Sequence, residues 1–227
     1  MLAMVDASVG GKVGVDLPQG KNLVGAFKQP EMVVIDPRVL STLPVEEFRA
    51  GMAEVIKHGI IDAPELFATL EERSREYEVG SRESFTPSLY APSASLLLTP
   101  YSVLPETIMV KVKVVQEDPF EQGRRAVLNL GHTFAHAFER LANFQLRHGE
   151  AVAMGLACAA RLSHRLGHCP AETVDRIVNL LQQVGPSPKA AALSSHAEVW
   201  AAMGSDKTAG THPAFHSAPR PRRRGHF

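Results

Sequence analysis

Two histidines four residues apart, His132 and His136, lie in a stretch with helical periodicity, so both imidazoles project from one face. A third, His148, opens the next such stretch as His-Gly-Glu. Imidazoles spaced in this way suit a divalent cation, which needs a further ligand whose position spacing does not fix. Glu54 is the candidate, because it lies on the polar face of a helix whose other face is built to pack. Two imidazoles and one carboxylate leave zinc an open position for a substrate oxygen, which is a catalytic rather than a structural arrangement. Without a metal, the same residues read as an ordinary helical histidine pair and a surface carboxylate paired with Lys57 or His58.

The glycine loop DASVGGKVGVD, followed by PQGKNLVGAF, offers a second kind of chemistry. It sets Lys12 and Lys21 among backbone amides free to face an anion. Glycines beside lysine mark plain turns as well, and no GxGxxG follows a strand anywhere in the chain.

The elements that must carry these groups follow from composition and periodicity. The chain has 227 residues, 44% of them hydrophobic, enough for one large domain with a buried core. Its 24 Lys and Arg balance 24 Asp and Glu, so no global field points to nucleic acid or to an anionic membrane. Any anion site must be local. Cys158 and Cys169 form neither a disulfide framework nor a zinc ribbon and read as buried thiols. The N-terminus lacks a signal-peptide pattern and no apolar run is long enough to span a bilayer, which suggests a reducing, cytoplasmic setting.

Residues 1–30 read as loops around short strands, and Met32 to Asp36 (MVVID) as another strand. The first strong helix is expected from Thr42 to Gly59, with Thr42 as its cap and Pro44 in its first turn. Its stripe is Phe48, Met52, Val55 and Ile56, and Glu47, Gly51, Glu54 and His58 form a second face. Residues 80–105, rich in Ser and Pro, read as an irregular insert. Helices are expected again at Thr107–Glu117, Gly131–Asn143, Gly149–Leu166 and Pro170–Val184. The third is dense in Ala and Gly and therefore buried. In the second, Phe134, Ala137, Phe138 and Leu141 make the apolar face, opposite His132, His136, Glu139 and Arg140. The last turns Val174, Ile177, Leu180 and Leu181 inward and ends at Gly185. The divisions are thus 1–41, a loop and strand region; 42–205, the helical domain; and 206–227, a basic solvated tail.

MVDASVGGKVGVD, GKNLVGAFKQP, FRAGMAEVIKHG, LNLGHTFAHAFE and RHGEAVAMG occur in this order, and together they resemble the 3-dehydroquinate synthase family. The likeness is strong over residues 1 to about 75 and 107 to about 160. It implies a mostly α fold: the helical metal-binding domain of an α/β enzyme, with a short glycine-rich loop and strand region at the N-terminus. It also implies an NAD- and metal-dependent lyase that converts a phosphorylated seven-carbon sugar acid into 3-dehydroquinate and phosphate in the shikimate pathway. The ion would be zinc or cobalt, and the family's homodimer would be the assembly. Matched block to block, Glu54, His132 and His148 would be the metal ligands. Asp6, Lys57 and Asn129 would line the reacting centre, with His136 at the phosphate end. Lys111 and Arg125 would hold the substrate carboxylate, Arg because its planar fork donates two parallel hydrogen bonds. Lys12 and Asn22 would also meet the phosphate end, and Lys12, Lys21, Val39, Leu40, Ser41 and Thr42 would touch NAD. Taken without the resemblance, Asn22, Lys111 and Asn129 have surface or capping roles.

Three departures from the family pattern accompany the match. The family's N-terminal nucleotide lobe is not in this sequence, so the chain reads as an incomplete copy. Residues 80–105 stand where helix is expected. Asp206 and Lys207 lead into Thr208 and a basic tail rather than an apolar strand. A shifted reading frame or a degraded gene would explain both segments. The alternatives are another sugar-phosphate cyclase, whose substrate lacks a carboxylate, or an inactive remnant that only binds metal.

Overall fold

Proline and burial decide where the first long helix begins. In the computed structural model, which describes residues 1–17, 20–81, 100–186 and 195–204, Leu43 is extended (φ −74°, ψ 131°) and Pro44 caps α1 (Val45–Asp62). A residue before proline is excluded from helical backbone by the pyrrolidine ring. The helix therefore cannot start at Thr42 as expected. Thr42 instead ends a 3-10 turn, Pro37–Thr42, and its hydroxyl donates to the Val39 carbonyl at 3.2 Å.

From Ala50 to Gly59 every residue of α1 is buried. Beyond the exposed first turn, which holds Glu47, the expected polar face is thus as enclosed as the apolar one, because other elements cover this stretch of α1 on all sides. It packs on α2 (Pro64–Ser81), α3 (Pro100–Glu117), α5 (His148–Arg165) and α6 (Ala171–Val184). Between α3 and α5 lies α4 (His132–Leu141), which packs on α5 and on α7 (His196–Gly204). The core runs through Met52, Val55 and Ile56 of α1, Leu66 and Leu70 of α2, Val114 of α3, Leu156 of α5 and Leu180 of α6. The mostly α architecture expected from the sequence is the one found, and α6 buries the four residues assigned to its inner face.

Two elements differ from expectation. MVVID forms no strand: Met32 and Val34 are 76% and 78% exposed, and no described strand pairs with the segment. Its β-branched residues supply the propensity, but a strand exists only against a hydrogen-bonding neighbour. Helix α3 begins at Pro100 and so takes in residues 100–105 of the segment expected to be irregular. Val103, Thr107, Val110 and Val114 lie on one buried face, and the Thr107 hydroxyl donates to the Val103 carbonyl. That burial outweighs the single backbone bond lost at Pro105. Residues 82–99 and the tail from 205 lie outside the described residues.

The N-terminal residues form a π-helical turn, Ala3–Ala7, and an antiparallel hairpin of β1 (Lys12–Leu17) and β2 (Gly20–Phe27). The π turn packs on α1 and α3 with Val5 buried, which carries Asp6 to the centre of the bundle. Near the start of α1, a Cβ on Gly149 would stand 2.0 Å from the Ala50 carbonyl oxygen. Only glycine permits that approach of α5 to α1, and it sets His148 beside the helix that carries Glu54.

Candidate metal and substrate site

Helix α1 presents Glu54, Lys57 and His58 inward, all at most 1% exposed. Ionic groups are almost never so buried unless they are paired, because removing a charge from water costs several kcal/mol. Here Glu54 Oε2 forms an ion pair with Lys57 Nζ. Glu54 Oε1 faces the other way, 3.6 Å from His132 Nε2 and 3.5 Å from His148 Nε2. Those distances are too long for hydrogen bonds, and Oε1 is a buried acceptor without a hydrogen-bond partner. With metal–ligand bonds of about 2.0–2.1 Å and tetrahedral angles, donors to one zinc ion stand about 3.3 Å apart. Both carboxylate–imidazole separations are close to that value, and all three atoms lie within 4.8 Å of one another, so the group can hold one divalent cation.

The charges around the site suit that role. Burial opposes ionisation of Glu54, yet Lys57 with His148 and His132 outweighs it and holds the carboxyl well below its usual range. Burial, reinforced by Lys57, pushes His132 down to about 4, so its nitrogen carries a free lone pair at neutral pH. Burial also opposes the charge on His148, but the carboxylate of Glu139, which accepts from its Nδ1, and the facing carboxylate of Glu54 raise it to about 9. A metal ion would replace the proton that His148 holds toward Glu54.

A second group, Asp6, Glu54 and His58, also has ligand atoms close together. Lysines already meet its need for positive charge. Lys111 Nζ is 2.7 Å from Asp6 Oδ1 and donates to the Asp6 carbonyl as well, and Lys57 Nζ lies 4.0 Å from the same carboxylate oxygen. Burial resists the charge on Asp6, but Lys57 and Lys111 keep its carboxyl lowered. His58 is neutral, pushed down to about 3 chiefly by burial.

The other expected residues are distributed less evenly. Arg125 is 1% exposed and bridges two loops, donating to the Gly10 carbonyl at 2.7 Å and the Pro119 carbonyl at 2.7 Å. The positive φ of Gly10 (108°) aims its carbonyl at this guanidinium. Arg125 is held because Asp118 accepts from the backbone N–H groups of Gln122, Gly123 and Arg125. Asn129 donates to Glu121 at 2.9 Å, and Glu121 also pairs with Lys12, so one carboxylate joins two expected site residues. His136 meets His132 edge to face, 5.6 Å between ring centroids. Val39, Leu40, Ser41 and Thr42 lie on the 3-10 turn before α1, where only Leu40 packs toward the core. The side chains of Lys21 and Asn22 lie outside the described residues.

Sequence reasoning missed Glu121, Asp118 and the part played by Glu139. Glu139 stood on the polar face of its helix, and its spacing of seven residues from His132, two turns, was the available signal. Glu121 carries none, since its φ of 58° arises in a tight loop.

Known proteins match this chain in sequence and fold. Residues 1–50 match the family described as 3-dehydroquinate synthase N-terminal, and residues 51–209 match 3-dehydroquinate synthase C-terminal. The 3-dehydroquinate synthase of Crocosphaera subtropica is 47% identical over 184 residues, 81% of this chain and 47% of that protein. That of Salinibacter ruber is 43% identical over 208 residues, 91% of this chain and 52% of that protein. The chain thus spans about half the length of these relatives. Among solved structures, 2-epi-5-epi-valiolone synthase from Streptomyces hygroscopicus, with NAD+ and Zn2+ bound, superposes with a TM-score of 0.72 at 25% identity. It covers 89% of this chain and 52% of its own. A 2-deoxy-scyllo-inosose synthase complexed with carbaglucose-6-phosphate, NAD+ and Co2+ gives 0.70 at 26% identity, over 92% of this chain and 53% of its own. With its helical architecture, its buried carboxylate and two imidazoles, and family matches along most of its length, the chain belongs to the 3-dehydroquinate synthase family.

Proposed function

We propose that this chain supplies the metal- and substrate-binding lobe of a 3-dehydroquinate synthase, which converts a phosphorylated seven-carbon sugar acid into 3-dehydroquinate and phosphate. The observation that carries this reading is the convergence of Glu54, His132 and His148 on one point in a buried site. These residues hold a divalent cation, zinc or cobalt. Bound there, the ion acts as a Lewis acid toward a substrate hydroxyl.

The surrounding residues divide the remaining work. Lys57 neutralises the back of Glu54 and, with Asp6, borders the reacting centre. Asp6 is the one partly open carboxylate of this cluster, with 21% of its side chain exposed, and is the natural proton acceptor. Lys111 and Arg125 serve the substrate carboxylate. Both have internal acceptors, the Asp6 carboxylate and the Gly10 and Pro119 carbonyls, and an anionic substrate exchanges with these. The family resemblance gives Lys12, Asn22 and His136 to the phosphate end and Asn129 to the reacting centre.

NAD fits this chain only in part. No glycine-rich strand–turn–helix for a pyrophosphate occurs among the described residues, so Lys12, Lys21 and Val39 to Thr42 can only flank a dinucleotide. When bound, NAD takes up and returns a hydride. Among the described residues no helix is long and apolar enough to cross a membrane. A homodimer follows from the family resemblance.

Zinc titration of the metal-free chain against a chromophoric chelator tests the reading. One ion per chain is expected, with Glu54→Gln weakening it at least about 100-fold, since a neutral amide replaces an anionic ligand. A chain that takes up no zinc, or a Glu54→Gln chain that binds it equally, refutes the reading. Titration with NAD alone is expected to show weak binding at most.

A further inference from the structure

Both imidazoles of the metal group are held from behind. His132 Nδ1 lies 3.3 Å from the Leu130 carbonyl oxygen, and His148 Nδ1 lies 3.2 Å from Glu139 Oε1. In each ring the opposite nitrogen, Nε2, faces Glu54 Oε1. An acceptor on Nδ1 fixes the hydrogen there and leaves the Nε2 lone pair for a ligand. The two backing groups are not equivalent. The Leu130 carbonyl precedes His132 by two residues and comes with the turn that starts α4, whereas Glu139 is a side chain brought from two turns further along that helix.

Glu139 is 2% exposed, although it belongs to the polar half of its helix. A carboxylate is rarely so deeply buried without a reason, because desolvation costs several kcal/mol. Helix α4 supplies the reason by geometry. Residues seven apart lie on one face, so the helix sends His132 to the metal point and Glu139 to the ring of His148, the first residue of α5. The imidazole of His148 is thereby suspended between two carboxylates, Glu139 behind and Glu54 in front.

We propose that Glu139 is a positioning residue for the metal site, accepting the Nδ1 hydrogen of His148 and thereby presenting Nε2 to the ion. It is not a ligand. Its anionic charge makes the imidazole a stronger donor and offsets part of the ion's charge inside a poorly solvated site. The inference rests on the metal-site reading above.

The test is zinc affinity by chelator competition on three chains, wild type, Glu139→Gln and Glu139→Ala, with a far-ultraviolet spectrum of each to confirm the helical fold. Outer carboxylates of this kind change affinity by about 10–100-fold. Glu139→Ala is expected to weaken zinc binding by about that factor. Glu139→Gln keeps an acceptor oxygen but not the charge, and should fall between Ala and wild type. Nitrogen-15 spectra of the zinc-bound histidines separate positioning from mere packing. Wild type and Glu139→Gln should show one Nε2-coordinated form of His148, and Glu139→Ala a mixture of ring orientations. Folded Glu139→Ala chains that bind zinc within twofold of wild type, with one unchanged His148 signal, overturn the proposal. If Glu139→Ala does not fold, the nearly isosteric Glu139→Gln decides: threefold or greater weakening supports it, and unchanged affinity overturns it. A wild-type chain that binds no zinc refutes the metal site itself, which is a separate failure.

Discussion

Replacing Gly149 by alanine adds one carbon at the point where α5 crosses α1, and its effect can be worked out from the backbone. The new Cβ would stand 2.0 Å from the Ala50 carbonyl oxygen and 2.4 Å from its carbonyl carbon. Real Cβ atoms essentially never approach within 3.0 Å of another heavy atom, so the two helices must separate by about 1 Å at this crossing. The obstacle is backbone, which cannot rotate away. Overpacking of this kind costs about 1–3 kcal/mol, and in a chain of this size each kcal/mol lowers Tm by roughly 2–4 °C. The displacement also carries His148, the preceding residue, away from Glu54, one helical turn beyond Ala50. A shift of about 1 Å is large against metal–ligand bonds that tolerate about 0.2 Å. Gly149→Ala should therefore unfold about 2–12 °C below wild type and bind zinc at least tenfold more weakly, measured by thermal unfolding and chelator competition. Gly204→Ala, where nothing lies within 4 Å of the added carbon, is the control. It should leave both properties unchanged or raise Tm slightly, since alanine favours a helix. A Gly149→Ala chain as stable as wild type, with unaltered zinc affinity, would refute the claim that this contact sets the α1–α5 spacing.

Two further outcomes concern the core and the loop that holds Arg125. Leu180 on α6 is 1% exposed, so Leu180→Ala should cost about 2–5 kcal/mol by denaturant unfolding. Trp200→Ala, at a side chain 77% exposed, should change stability by no more than about 0.5 kcal/mol. Backbone N–H groups of Gln122 and Arg125 hold the Asp118 carboxyl below its ordinary range. A carboxyl lowered in the folded state adds stability that is present above its unfolded value and is lost as pH falls through the folded one. Unfolding followed from neutral to strongly acid pH should show this acid-labile contribution in wild type and its loss in Asp118→Asn.

How much of this was legible in the sequence depended on how local each interaction is. The inner face of α6, Val174, Ile177, Leu180 and Leu181, was readable because a 3.6-residue period places such residues together whatever surrounds the helix. Helices α2 and α7 went unassigned, although Pro64 and Glu65 at the head of α2 are ordinary start signals. Spacing offered His132 with His136 as one pair beside His148 and Glu54, and the resemblance narrowed the ligands to Glu54, His132 and His148. The helices put Nε2 of His132 and of His148 on Glu54 and leave His136 edge-on to His132.

By itself the sequence determined the residue types, most of the helices and the faces on which Glu54, His132 and Glu139 stand, because these follow from backbone geometry within a few turns. Tertiary structure alone decided that α1 is enclosed on all sides from Ala50 to Gly59, that Lys111 reaches Asp6 across 105 residues, that Arg125 spans Gly10 and Pro119, and that Glu139 stands behind His148. Such pairings depend on how helices cross, and a crossing is set by the fit of two surfaces, such as Gly149 against Ala50, which no period along one chain contains.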